Sequence, residues 1–370
     1  MKMKACGWIL LGLLWAGVEA ARPQNSVVNS LGQNGVLSCT NLIAGSTASV
    51  QWASSLSGPW YTNWTAQSAV TVGSNGSFTL SVPMFYRVLG VPAAAAGMAF
   101  IPAASFTMGD VADTNVDLDA TPTNVYVSAF YLDRYDVTYS LWQQVFNWAI
   151  RHGYSFDNPG TGKAANHPVL TVNWYDCVKW CNARSEMIGL TPAYYTDVTQ
   201  AVVYRTGDID LANASVKWNA GYRLPTEAEW EKAARGGLNG QRFPWGPTIS
   251  ESQANYYSIY EYYFDLSDTD YNPTFATGGT PYTSPVGSFP ANGYGLYDMT
   301  GNAWQWCWDW FSSPYAGGSD PRGPTSGTYR VFRGGAWFSL AYNCRTADRV
   351  YNYPSDIFNI GFRSALPAGQ

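Results

Sequence analysis

From Gln24 to Gly90 the chain alternates apolar and polar positions in short runs bounded by turn residues: Gly35-Val36-Leu37-Ser38-Cys39, Ala48-Ser49-Val50-Gln51-Trp52, Ala69-Val70-Thr71-Val72 and Ser77-Phe78-Thr79-Leu80-Ser81-Val82. A period of two over such short runs predicts β-strands, and Gly73-Ser74-Asn75-Gly76 between the last two has the composition of a hairpin loop. Residues 24–90 are therefore expected to form a small all-β accessory module, read as a spacer or packing partner. Val91-Pro92-Ala93-Ala94-Ala95-Ala96-Gly97 has neither period and no charge, as a linker would, so a second domain is expected over 98–368.

Within that domain Val125 to Asp133 alternates as a half-buried strand does. Three helices are predicted. The first starts around Val137-Thr138-Tyr139 and runs to about Arg151. In the second, Asn173 caps Trp174 to Ile188, with Asp176 in the first turn and Gly189 as the stop. In the third, Arg223-Leu224-Pro225-Thr226-Glu227-Ala228-Glu229-Trp230-Glu231 holds Thr226 and Glu229 at capping-box spacing, and Gly236-Gly237 ends the helix. From Phe243 onward little helix is expected. The long irregular stretch from Tyr256 to Tyr282 needs disulfides, bound cations or aromatic packing to hold it.

The 370 residues are 46% hydrophobic and only 13% charged, enough for two domains and a substantial core. With 17 Trp, 26 Tyr, 36 Gly and 21 Pro, the architecture should be rich in loops and aromatic contacts. A net charge of −5 without a basic stripe removes the electrostatic source of nucleic-acid binding. Residues 1–20 pair Lys2 and Lys4 with an apolar run from Ala5 to Val18 and the small-residue ending Val18-Glu19-Ala20, as a secretory signal does. That run is about 14 residues long against the roughly 20 needed to cross a bilayer, so a secreted or periplasmic protein without a membrane span in its mature chain is expected. Removing Cys6 with the signal leaves Cys39, Cys177, Cys181, Cys307 and Cys344, an odd number in an oxidising compartment.

Several blocks carry a resemblance. They are Pro168-Val169 leading to Val172-Asn173-Trp174, the Arg223 to Glu231 block, Pro285-Val286-Gly287-Ser288-Phe289, and Gly295-Leu296-Tyr297-Asp298-Met299-Thr300-Gly301-Asn302-Ala303-Trp304-Gln305-Trp306. Arg333-Gly334-Gly335-Ala336-Trp337, Asn343-Cys344-Arg345 and Gly361-Phe362-Arg363 complete the set. Together, over about 97–366, they resemble the formylglycine-generating enzyme family, the sulfatase-modifying factor domain. The resemblance implies an α+β, loop-rich, C-type-lectin-like fold, with Met98 to Pro102 and Ser105 to Asp110 as an opening hairpin. It implies a structural disulfide between Cys181 and Cys344, which leaves Cys177 and Cys307 as the expected second pair. It implies calcium held by the side chains of Asp298 and Gln305 and the carbonyls of Gly301 and Ala303, although the family usually has Glu where Gln305 stands. A second, weaker calcium site would use Asn255 and the Tyr256 carbonyl. Its acid does not align, and Asp265, Asp268 and Asp270 of the inserted loop are read as solvated carboxylates.

The family's oxidases hold copper(I) on two thiolates, soft ligands for a soft ion, and convert a substrate cysteine to formylglycine. Here Ser339 stands at the first thiolate position, the second has no counterpart, and Ala336 replaces the small hydroxyl beside the pair. No catalytic residue is therefore assigned and copper is not expected. Cys177 and Cys181 could form a zinc clip only with further ligands. His152 and His167 do not supply them, nor do they support the histidine-bound iron of a related branch or a serine-hydrolase motif. The expected function is an exported, non-oxidase binding or structural module with a peptide- or glycan-sized groove near Trp304, Trp306, Trp337, Ser339 and Arg345, its ligand a peptide, protein or glycan. The alternative is a divergent oxidase acting on cysteine in sulfatase-type substrates.

Overall fold

The computed structural model describes the backbone of residues 27–31, 36–40, 47–49, 69–71 and 78–81, and backbone and side chains of 74, 77, 95, 97–112 and 119–369. The expected signal over 1–20 lies outside these residues, as does most of the linker. The chain divides into two units, Met1–Gly90 and Val91–Gln370.

In the first unit β1 (Val27–Leu31), β2 (Val36–Thr40) and β5 (Phe78–Ser81) form one antiparallel sheet, and β3 (Thr47–Ser49) pairs with β4 (Ala69–Thr71) in another. The predicted strands are present, but among the described residues the strands flanking the Gly73 to Gly76 loop are not paired with each other. β5 instead pairs with β2, setting Leu37 opposite Leu80 and Cys39 opposite Phe78, a long-range match of apolar positions.

The second unit opens with β6 (Met98–Ile101), β7 (Ala104–Met108), β8 (Thr123–Val127) and β9 (Phe130–Asp133). The expected opening hairpin is not made: β6 pairs with β9, and β7 with β8. Nor is Val125 to Asp133 one strand. Ser128 leaves the ladder, donating its N–H and hydroxyl to the Asp320 carboxylate (2.7 and 2.8 Å), and the chain crosses from one sheet to the next. β13 (Gly318–Ser319) joins β8, and β17 (Ala365–Pro367) joins β9.

All three expected helices form, the second and third from the caps read in the sequence. α1 (Tyr139–Ala149) is capped by Thr138 Oγ1, which accepts from Leu141 N–H. In α2 (Trp174–Met187), Asn173 Oδ1 accepts from Asp176 N–H. α3 (Glu227–Ala234) carries the complete Thr226/Glu229 capping box. α1 packs on α2 through parallel indoles of Trp142 and Trp180, 5.9 Å apart. A four-stranded sheet follows, in the order β15 (Val350–Asn352), β14 (Arg330–Arg333), β12 (Trp304–Trp310), β16 (Ile360–Gly361). Across the irregular insertion β10 (Tyr257–Ser258) pairs with β11 (Asp270–Tyr271).

α3 is buried along its whole length and carries three carboxylates, each on an arginine from another segment. Glu229 takes Arg223 through two bonds of 2.6 Å, Glu227 takes Arg349 at 2.7 and 2.8 Å, and Glu231 takes Arg333 together with Arg235. The thiols do not replace this framework. Cys177, Cys181, Cys307 and Cys344 are all free and buried, so neither the Cys181–Cys344 bridge nor the Cys177–Cys307 pair is formed. The reason is placement: Cys181 lies in the α1/α2 core with Trp180, whereas Cys344 packs with Phe243, Ile249 and Tyr256. Burial holds the thiols of Cys177, Cys307 and Cys344 well above their usual pKa.

Two outcomes follow. Glu231→Gln removes the buried charge shared by Arg333 and Arg235, and urea unfolding should show a loss of about 3 kcal/mol, with a loss under about 1 contradicting the ladder. Without reductant, Cys177, Cys181, Cys307 and Cys344 should all take up maleimide in denaturant and resist it when folded; a peptide map that links any two of them would contradict the free-thiol arrangement.

Candidate functional site

After β14 the backbone turns through Gly334 (φ +102°) and Gly335 (φ +80°), a conformation side chains disfavour. A Cβ on Gly335 would sit 2.5 Å from Cys344 Sγ, so the following turn presses directly on that cysteine. Ala336 N–H donates to Ser339 Oγ (3.0 Å), Ser339 N–H donates back to the Ala336 carbonyl (2.9 Å), and Tyr257 N–H donates to the Ser339 carbonyl (2.9 Å). The Ser339 hydroxyl is thus an internal acceptor that closes the turn. Cys344, the sulfur against that turn, is buried, and its thiol is held protonated by burial and then by the charges of Asp348 and Asp265. Cys307 belongs to a different core, with Met299 and Val331.

Trp337 leads an aromatic cluster beside this turn. Its ring meets Tyr271 at 5.5 Å, Tyr282 at 5.3 Å and Phe338 at 5.2 Å, and Phe338 meets Phe358 at 5.5 Å. Phe358 is 64% exposed and Tyr271 37%, so the cluster surfaces as a shelf. The Trp337 Nε1 donor is buried and has no acceptor among the described residues. Lys163 lies 5.6 Å over the Tyr282 ring, held by the carbonyls of Phe275 and Thr277.

The sulfatase-modifying factor enzyme 1-like domain pattern matches residues 89–368. The chain belongs to this family. The formylglycine-generating enzyme of Mus musculus is 35% identical over 300 residues, 74% of this chain and 76% of that protein. The Chaperone protein LppX of Paenibacillus barcinonensis is 34% identical over 247 residues, 64% of this chain and 79% of its own length. Among solved structures, Treponema denticola variable protein 1 superposes with a TM-score of 0.55 at 30% identity, covering 73% of this chain and 94% of that one. CarF gives 0.54 at 26% identity, covering 73% and 97%. The chain shares the mixed, loop-rich architecture of these family members.

The family positions are not brought into one groove. Trp306 is fully buried, its Nε1 on the Val172 carbonyl (3.2 Å), and Arg345 is a core cation on Asp110 (2.6 Å) stacked over Tyr342. Trp304 packs edge-on against Phe332 at 5.1 Å and is 6% exposed. Of the predicted set, Trp337 and Ser339 alone share the turn beneath the shelf. Tyr271, Tyr282, Phe338 and Phe358 were not anticipated; the aromatic density of the insertion was the available signal.

Of the expected calcium donors, Gln305 is engaged within the protein. Gln305 Oε1 accepts from Trp230 Nε1 (2.6 Å) and Arg363 Nε (2.8 Å), and its Nε2 donates to the Asp298 carbonyl (2.8 Å). An ion there would have to break those bonds and displace a guanidinium that also lies on the Asp298 carbonyl (3.2 Å). Gly301 and Ala303 are tied to one another, the Ala303 N–H donating to the Gly301 carbonyl at 3.0 Å. Asn255 and Tyr256 fasten the insertion: Asn255 Nδ2 donates to the Tyr282 carbonyl (2.8 Å) and Tyr256 Oη to Asp265 (2.5 Å). Asp265, expected in solvent, is buried and also takes both Ser258 and Ser267. Among the described residues no group of three or more His, Cys, Asp or Glu is arranged to hold a metal.

Asp298 accepts from Gly287 N–H (2.7 Å) through Oδ2, while Oδ1 is buried without a partner. Burial pushes its pKa up to about 6, against the pull of the Gly287 N–H and Arg363. A carboxyl raised in this way favours the fold fully when protonated, below about pH 4, and loses that contribution as pH climbs through about 6. Asp298→Asn should therefore flatten stability between pH 4 and 7 and raise it at pH 7 by about 2 kcal/mol in urea melts. An unchanged pH profile would show that Asp298 is ionised in the fold at no cost.

Proposed function

We propose that this chain is an exported, non-oxidising member of the sulfatase-modifying factor family that binds an extended polypeptide segment on the shelf of Tyr271, Tyr282, Trp337, Phe338 and Phe358. One observation carries the non-oxidising half of this reading. At the turn where the family's oxidases need a thiolate pair there is a hydroxyl, Ser339 Oγ, engaged with Ala336 N–H, and beside it one protonated, buried thiol, Cys344. A hydroxyl is a hard ligand and a thiol at raised pKa a poor one, so a two-coordinate site for copper(I) has no ligands.

The binding half rests on the shelf. Exposed aromatic rings give large contact area at small entropic cost, and the buried Trp337 Nε1 is a donor lacking an acceptor, which a backbone carbonyl lying across the shelf would supply. A relative named a chaperone and a neighbour named a variable protein accord with a family scaffold used outside oxidation. The export half rests on residues 1–20, whose charged, apolar and small-residue parts follow a secretory signal. No helix among the described residues is long and apolar enough to cross a membrane.

Peptide arrays and glycan arrays probed with the full chain, followed by fluorescence anisotropy on the best peptide, test the reading. Peptide binding should weaken at least tenfold in Phe358→Ser and in Trp337→Phe, which removes the indole donor. Binding confined to glycans, or peptide affinity unmoved by both variants, would overturn it.

A further inference from the structure

A cavity of about 250 Å³ lies between the Ser128-Ala129 crossover, the N-terminal end of α3 and the last strand, and it shares no residue with the aromatic shelf. Trp218, Arg223, Glu229, Asp320, Arg322 and Pro367 line it. The acceptors on its wall are engaged. The Glu229 oxygens hold Arg223 and Thr226 N–H, and the Asp320 oxygens hold Ser128 N–H and Oγ.

The donors are not. Arg322 is half-buried, its guanidinium lies 4.2 Å over the Trp218 ring, and among the described residues it has no hydrogen-bond acceptor. Arg223 is 4% exposed, and its Nε, which Glu229 does not use, is buried without a partner. The arginine and carboxylate charges of the lining balance, and its unpartnered side-chain groups are donors, on Arg322 and at Arg223 Nε. Burial and the neighbouring Arg223 charge lower the pKa of Arg322, against the opposing charges of Asp320 and Glu229.

We propose that this cavity binds a small organic carboxylate, its two oxygens on the Arg322 fork and its apolar body against Trp218 and Pro367. A planar guanidinium with two adjacent N–H groups matches a carboxylate in a bidentate way, and a stacked indole fixes the fork's orientation. The volume lies just under that of drug-sized pockets, which fits a fragment such as an aryl or branched-chain acid, or the terminal residue of a peptide. One open fork and one further N–H are too few donors for a phosphate dianion with three acceptor oxygens.

Saturation-transfer NMR on the full chain tests this with phenylacetate, its neutral isostere phenylacetamide, N-acetylphenylalanine as a chain-end mimic, and sodium sulfate. Phenylacetate or N-acetylphenylalanine should bind, and the tighter of the two identifies the source as a free acid or a chain end. Phenylacetamide should give no signal. Arg322→Gln should weaken binding at least tenfold and Arg322→Lys, which keeps the charge but not the fork, by an intermediate factor; thermal melting should show both variants folded. Equal binding of phenylacetate and phenylacetamide, full affinity in Arg322→Gln, or displacement by sulfate at equal concentration would each overturn the assignment. Because Arg322 is no part of the shelf, such a failure leaves the peptide-binding reading standing.

Discussion

Three glutamates on an eight-residue helix hold the second unit together. Glu229 of α3 takes Arg223 from just before the helix, Glu227 and Glu231 take Arg349 and Arg333 from more than a hundred residues away, and Glu231 also accepts from Gly109 N–H just after β7. A helix this short is unstable by itself, and three carboxylates taken out of water are costly, so α3 exists only because every charge finds a partner. Arg333 extends the network by donating to the carbonyls of Thr346, Ala347 and Asp348, which pins the loop after Cys344. Arg330 is held differently. It lies between the indoles of Trp174 (3.7 Å) and Trp310 (3.4 Å), and burial lowers its pKa to about 9.

This framework holds the family fold through contacts in which the Ser339 side chain takes no part. The Gly334-Gly335 turn is held on one side by Arg333 and on the other by the close approach of Cys344, and Asn302 adds the Trp337 N–H bond. None of these contacts involves a metal or a disulfide. Replacing a thiolate by the Ser339 hydroxyl supplies the turn with an internal hydrogen bond and leaves the surrounding pairs intact.

The local parts of the fold were legible in the sequence. Asn173 and the Thr226/Glu229 box each state a helix start in the side chain that caps it, and each helix forms there; the Thr138 cap of α1 emerged only in the structure. Pairings were not legible, since which strand meets β5 or β7 depends on segments distant in sequence. β12 shows the same difficulty for the site. Trp-Gln-Trp-Cys-Trp-Asp-Trp alternates as a strand with one open face does, yet both faces are buried. Gln305 and Asp309 are tolerated inside because Trp230, Arg363 and Glu227 N–H satisfy them. Trp306 and Arg345 were assigned to a groove because a motif gives residue types without saying which side of the wall they face. The thiols were paired by analogy, whereas here they are buried and free, and the insertion is held by the Asn255 and Asp265 hydrogen bonds and by packed rings.

The central claim is that the turn at Ser339 lacks the sulfur needed to hold a monovalent soft metal. It is tested most directly by anaerobic titration of the folded, reduced protein with copper(I) bicinchoninate. The account predicts that the copper stays with the chelator, its absorbance unchanged as protein is added. Withdrawal of one equivalent of copper per chain, abolished by Cys344→Ser, would contradict it.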